Sequence, residues 1–286
     1  MEESMTARIS IKKCLAKSVP ALRALLALGL VLFFGEVVFR RWLGPVFGIN
    51  IQNMADFTLW PQMLVFGFLF PFCMVLVALG LYLFLDRRKW KDFGFSLDHR
   101  GRFVTLEGFL LMLVAFGAFV ALTRLSGTAV WKLAPRITGR FVLSASVTYI
   151  GTGVWEEVYF RGYFFRTLKD YGRPAAYLAS ITVFVLIHFT EEAFLFSRIF
   201  NLALVSFFLT YVFDKTGSLW PGIVLHGGWN LINFLLVANQ YSVSLMAVSG
   251  DIGEANRWLS NILHGVLLLF VWWIYRRRPA EKTEKG

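Results

Sequence analysis

Residues 62–85 read QMLVFGFLFPFCMVLVALGLYLFL, an apolar run closed by Asp86-Arg87-Arg88. About 20 such residues suffice for a helix to cross a bilayer. Seven further runs lie near 21–39, 103–123, 141–160, 174–190, 199–213, 219–238 and 258–275, the fifth and sixth of the eight being short. The whole composition agrees: of 286 residues 57% are hydrophobic and 16% charged, with 30 Phe and 10 Trp. Water-soluble domains run nearer about 25% charged, so the solvent these runs imply is lipid. A net charge of +11 would suit nucleic acid, but the basic residues sit in short clusters between the apolar runs. That is the pattern of cytoplasmic loops held by anionic lipid and the membrane potential, and nucleic acid is not an expected partner. Cys14 and Cys73 stand far apart, which excludes a metal-spaced pair and a disulfide framework.

The expected fold is therefore an all-α, polytopic membrane bundle of about eight transmembrane helices. With the N-terminus inside, inner segments hold 21 Lys and Arg and outer segments 8, which predicts an N-in, C-in protein. The first run follows a basic stretch, as a signal peptide would. Glu36, Arg40 and Arg41 interrupt it and no small-residue cleavage site follows, so it reads as an uncleaved anchor. Three regions are expected: 1–139, a tail and ancillary helices; 140–240, the part that carries chemistry; and 241–286, the last helix and a basic tail.

A charged group at mid-bilayer costs a few kcal/mol or more, so each one needs a partner or a wettable cavity. Trp155-Glu156-Glu157-Val158-Tyr159-Phe160-Arg161 ends the fourth run. Glu157 and Arg161, four apart, share a helix face and can pair. Glu156 is turned about 100° away, on the stripe of Gly153 and Phe160, and that pair leaves it without a partner. His188 lies deep in the fifth run, with Phe184 one turn below it on the same face. In the seventh run His226, Asn230 and Asn233 share a stripe beside Gly227 and Gly228, which allow close helix packing. Taken alone, the first cluster has the bland reading of an ion pair at a helix end, the second of a hydrogen-bonded structural histidine and the third of interhelical hydrogen bonding. The turn near Gly172 lies 16 residues from both Glu156 and His188, so antiparallel helices bring the two to similar depth, about 24 Å from the turn. His226 and Asn230 reach a comparable level from the short loop near Gly217. Coincidence of three polar clusters at one height points to one site.

A glutamate, two histidines and an asparagine in a lipid-enclosed cavity suit amide hydrolysis. Glu156 would serve as general base towards water, His188 would orient that water, and His226 with Asn230 would donate to the oxyanion. No Ser or Cys stands beside a base, which disfavours a covalent triad, and His-Glu-x-x-His is absent. This chemistry requires no cofactor. A zinc site formed by Glu156, His188 and His226 stays open on these residues. Glu191 and Glu192, at helical spacing after His188, read as a solvated loop end.

Glu-Glu-x-x-x-Arg at 156–161, Phe-x-x-x-His at 184–188 and His-x-x-x-Asn at 226–230 resemble, in order, the motif set of the CPBP family. These are the CAAX-protease and bacteriocin-processing proteins, also called ABI, and they include the type II CAAX prenyl endopeptidases. The resemblance spans about residues 140–240. It implies an intramembrane, glutamate-dependent endopeptidase of a family long classed with the metalloproteases. It implies Glu156 as catalytic base, His188 as its partner, His226 and Asn230 as oxyanion hole, and Glu157 and Arg161 as supporting residues. The implied partners are membrane lipid and a membrane-associated protein or peptide substrate. The expected location is a bacterial cytoplasmic membrane. Two alternatives are a non-catalytic immunity or scaffold protein of the same family and a proton-coupled transporter. A transporter would string titratable groups along a path and repeat its halves, and neither pattern is visible.

Overall fold

The structure, a computed structural model, describes residues 18–49, 60–96, 99–133, 139–188, 195–236, 246–249 and 254–276. Cys14, Glu191, Glu192 and most of the basic C-terminal tail lie outside the described residues.

Eight helices follow the eight apolar runs. They are α1 (Ser18–Val46), α2 (Trp60–Leu85), α3 (His99–Leu125), α4 (Gly139–Glu157), α5 (Arg173–Ile187), α6 (Phe196–Thr216), α7 (Trp220–Leu236) and α8 (Glu254–Tyr275). The described part of the molecule is an all-α bundle, and five of its helices (α1, α2, most of α3, α6 and most of α8) are long and apolar enough to cross a membrane unaided. The chain is thus an integral, multi-pass membrane protein. The sixth run, short as 199–213, grows to the full length of α6, whereas α5 stays at 15 residues.

Local chemistry sets the turns. Gly172 adopts φ 93°, a conformation closed to most side chains, and Pro174 then starts α5, where a missing N–H costs nothing. Gly217 ends α6 in the left-handed conformation with its N–H on Phe213 O at 2.8 Å. Three residues later α7 begins, and Leu219 N–H bonds Gly94 O at 2.9 Å, tying this turn to the connection after α2.

Helix α4 packs against α2 on one side and α7 on the other, while α7 also packs on α3, and α8 lies across α3 and α6. Past Glu157 the helix does not stop. It widens into a π-helical segment, Val158–Phe165, all eight of whose residues are buried. Met74, Ala78 and Tyr82 of α2, Phe184 of α5, Phe213 of α6 and Ile223 of α7 join Val158, Tyr159, Phe160, Tyr163, Phe164 and Phe165 in the largest core cluster. Apart from Arg161, which pairs inside the bundle, the segment is aromatic, aliphatic or glycine, and such a segment is stable only when wrapped on every face. Two more π stretches occur, Phe33–Leu43 within α1 and Leu81–Leu85 at the end of α2.

One element departs from the all-helical expectation. Val130–Leu133 (β1) pairs antiparallel with Met246–Ser249 (β2), Val130 opposite Ser249. The ribbon joins the connection before α4 to the connection before α8. The side chain of Trp131 anchors it to α3, the indole N–H donating to Thr123 Oγ1 at 3.0 Å.

Candidate active site

Glu156 and Glu157 occupy the last turn of α4, where the winding changes from α to π. π-Segments are rare and cluster at functional sites because they re-aim side chains without breaking the helix. Successive residues point about 100° apart, and here the two carboxylates take different surroundings. The Glu157 carboxylate is 1% exposed and its Oε1 accepts two hydrogen bonds, from Arg161 Nη1 at 2.8 Å and from His226 Nδ1 at 2.9 Å. Glu156 is also buried, and its Oε2 has no hydrogen-bond partner among the described residues. That oxygen lies 3.7 Å from His226 Nε2 and 3.9 Å from His188 Nε2, just beyond direct hydrogen bonding.

Both ring orientations follow from what the opposite nitrogen does. His188 sits at the C-terminal cap of α5, its backbone N–H turned to Val185 O and Leu186 O. Its Nδ1 lies 2.7 Å from Phe184 O, and a carbonyl can only accept, so Nδ1 carries the proton. In His226, Nδ1 faces a carboxylate oxygen already engaged by Arg161 and is likewise the donor. Each neutral ring therefore presents a bare Nε2 to Glu156. Three acceptors converge on one small volume.

His188 is not deep inside a run that continues to residue 190, as its sequence setting suggests. Helix α5 ends at Ile187, and the imidazole takes the backbone carbonyl that the tightened last turn leaves free. Phe184 does lie beside it, ring centroids 4.5 Å apart and planes tilted by 37°, and reaches the His226 ring at 6.1 Å.

Arg161 is fully buried and held from three directions. Besides Glu157, its Nη2 donates to Ser206 O at 3.2 Å and Ser206 Oγ at 3.3 Å, and its guanidinium lies 5.0 Å over the Phe184 ring. Ser206 escaped the sequence reading. A lone serine in an apolar helix carries little signal, and its contact crosses to another helix.

The approach of α7 to α4 rests on glycine. A Cβ on Gly153 would lie 2.6 Å from both Cα and N of Gly227, so no larger residue fits without separating the helices. Gly222, one turn before His226, meets Glu157 in the same way, with a virtual Cβ 2.7 Å from Oε2. Backbone contact here is what brings the His226 ring onto both carboxylates.

Asn230 is one turn beyond His226 on α7, half-buried, with no hydrogen bond among the described residues. Asn233 shares that stripe and is also half-buried. The structure thus gathers Glu156, Glu157, Arg161, His188 and His226 into one contact network. It leaves Asn230 beside that network, with an unengaged side-chain amide. Among the described residues no group of three His, Cys, Asp or Glu has the arrangement of a metal site. The zinc alternative of Glu156, His188 and His226 gains no support, and the chemistry below uses none.

No curated protein and no solved structure shows a significant match to this chain. A family model does match about a third of it, at residues 138–232, where all six site residues lie. The model is that of the Rce1-like type II CAAX prenyl endopeptidases, and residues 138–232 are similar to that family.

Proposed function

We propose that the protein is an intramembrane endopeptidase that cleaves a peptide bond of a membrane-associated protein or peptide with a water activated by Glu156. The observation that carries this reading is the buried, unpartnered Oε2 of Glu156, held 3.7 and 3.9 Å from two imidazole nitrogens. These spacings suit a water that touches all three groups. A water has two hydrogens for three acceptors, so one of the three must itself carry a proton and act as donor.

His226 is the residue for that part. Its Nδ1–H is committed to Glu157, so only the imidazolium form has an Nε2–H to give. Glu157, pinned by Arg161, is placed to keep that charged ring oriented. In the proposed reaction the water oxygen bonds to the substrate carbonyl carbon while Glu156 takes one of its protons. His188 Nε2 accepts the other O–H and aligns the lone pair for attack. The oxyanion is held by His226 Nε2–H and the Asn230 amide. The C–N bond then breaks as Glu156 returns its proton to the departing nitrogen, which leaves a carboxyl terminus and an amine. Water is consumed, and no covalent enzyme intermediate forms. Glu157, Arg161 and Ser206 act through His226 as positioning residues.

The experiment compares the termini of membrane proteins, by mass spectrometry, in cells carrying the native chain, Glu156→Gln, or no copy. A terminus present with the native chain and missing in both others is expected. Identical termini in all three would overturn the protease reading and favour a non-catalytic scaffold. The bacterial cytoplasmic membrane is the proposed location, and a leader or C-terminal anchor the proposed kind of substrate, since no prenyl modification need be supplied there.

A further inference from the structure

A second polar cluster lies about two helical turns from the site, where α5 begins and α6 ends. Arg161 of the π-segment meets Ser206 of α6, and eight residues further along both segments Lys169 meets Asp214, Nζ to Oδ1 at 3.0 Å. Eight helical residues are about 12 Å, so the second rung lies near the membrane boundary, at the end of the α6 span. Arg173, at the start of α5, also reaches Asp214, Nε to Oδ2 at 3.0 Å, and Tyr177 Oη donates to the same oxygen at 3.5 Å.

On the outer side of this cluster is a cavity of about 430 Å³ lined by Arg173, Pro174, Tyr177, Phe207, Tyr211, Asp214 and Lys215. Its wall is aromatic: Tyr177 and Phe207 have ring centroids 5.3 Å apart, and Lys215 holds its ammonium 5.8 Å over Tyr211. Its rim is cationic. Arg173 and Lys215 stand at it with the one carboxylate of Asp214, which is 5% exposed and already satisfied from behind by Lys169. Arg173 gives Asp214 only its Nε, and its side chain is 48% exposed. The cavity is therefore apolar along the membrane side and carries surplus positive charge at the water side.

We propose that this groove between α5 and α6 binds an anionic phospholipid, with an acyl chain along Tyr177, Phe207 and Tyr211 and the headgroup phosphate on Arg173 and Lys215. Charge complementarity selects the headgroup. A zwitterionic lipid offers the same chain but returns its own cation to a rim that is already positive. Basic recesses between transmembrane helices at a membrane surface take anionic headgroups for this reason. The proposal concerns a surface separate from Glu156 and stands whether or not the protein is a protease.

The test uses the full chain in nanodiscs of phosphatidylcholine with phosphatidylglycerol, followed by native mass spectrometry of the lipid retained on release. The native protein should keep one phosphatidylglycerol in preference to phosphatidylcholine. Arg173→Gln and Lys215→Gln should each lower that preference about fivefold. Arg124→Gln, an exposed cation at the end of α3, should leave it unchanged. Equal retention of the two lipids by the native protein would overturn the proposal, as would an unchanged preference in the double variant. Should a variant fail to fold, the native protein still decides. A phosphatidylglycerol with a photoreactive acyl chain should label peptides containing Phe207 and Tyr211 above the other lipid-facing helices, and uniform labelling would refute the site.

Discussion

The two adjacent glutamates differ in what they touch, and their substitutions should separate accordingly. Glu156→Gln should leave the protein folded and lower peptide cleavage by about 10²–10⁴-fold, the usual loss of a general base. Asn230→Ala should lower kcat by about 10²–10³-fold if its amide meets the oxyanion, whereas a change in KM alone would remove it from that role. Glu157 and Arg161 are a buried pair, so Glu157→Leu or Arg161→Met alone leaves the other charge in the interior without its partner one turn away. Each should cost about 3–5 kcal/mol, read as a lowered melting temperature in detergent. The double variant Glu157→Leu/Arg161→Met should recover most of that stability, since apolar pairs often replace buried ion pairs without loss. It should not recover cleavage, because His226 would then lack its anchor. Elemental analysis of the purified protein, with activity measured after chelation, checks the metal-free reading; activity should survive. The Glu157–Arg161 pair was legible because both residues lie on one helix at fixed spacing. The contacts of Arg161 with Ser206 and of Glu157 with His226 were not, because each joins helices that the sequence orders but does not dock.

At the scale of elements, the crossing of α4 and α7 is the vulnerable joint. Gly153→Val or Gly227→Val forces the two backbones apart and should abolish cleavage while lowering the melting temperature. Gly29→Ala, with open space around its would-be Cβ, should change neither. Hydrophobic runs located α2 to α8 to within four residues at each end and α1 short by seven at its end, because in a bilayer the length of an apolar stretch is itself the signal. The π-helical winding of Val158–Phe165 was invisible for a related reason. A stretch buried on every side has no polar stripe, so no period betrays how many residues make a turn. The end of α5 at Ile187 was missed because Phe189 keeps the run apolar past the point where the His188 ring caps the backbone.

For the whole molecule, the excess of Lys and Arg on alternate connections predicts that both termini face the same side. Reporter fusions after residue 286 and within the connection at 134–138 should report opposite sides of the membrane, and the same side for both would overturn the N-in, C-in arrangement. The four-residue ribbon had no counterpart in the sequence reading, since Val130–Leu133 is too short to show a pattern and its partner lies far along the chain. Yet that ribbon makes α4 to α7 leave and rejoin the rest of the protein through a single doorway, with entry and exit strands side by side. Guest segments spliced into host proteins need that arrangement, since their ends must meet without stretching the host. By this geometry the ribbon fixes both ends of the segment that holds Glu156, His188, His226 and Asn230, while α2, α3 and α8 still wall it from outside, so a graft that keeps the site has to carry those contacts along.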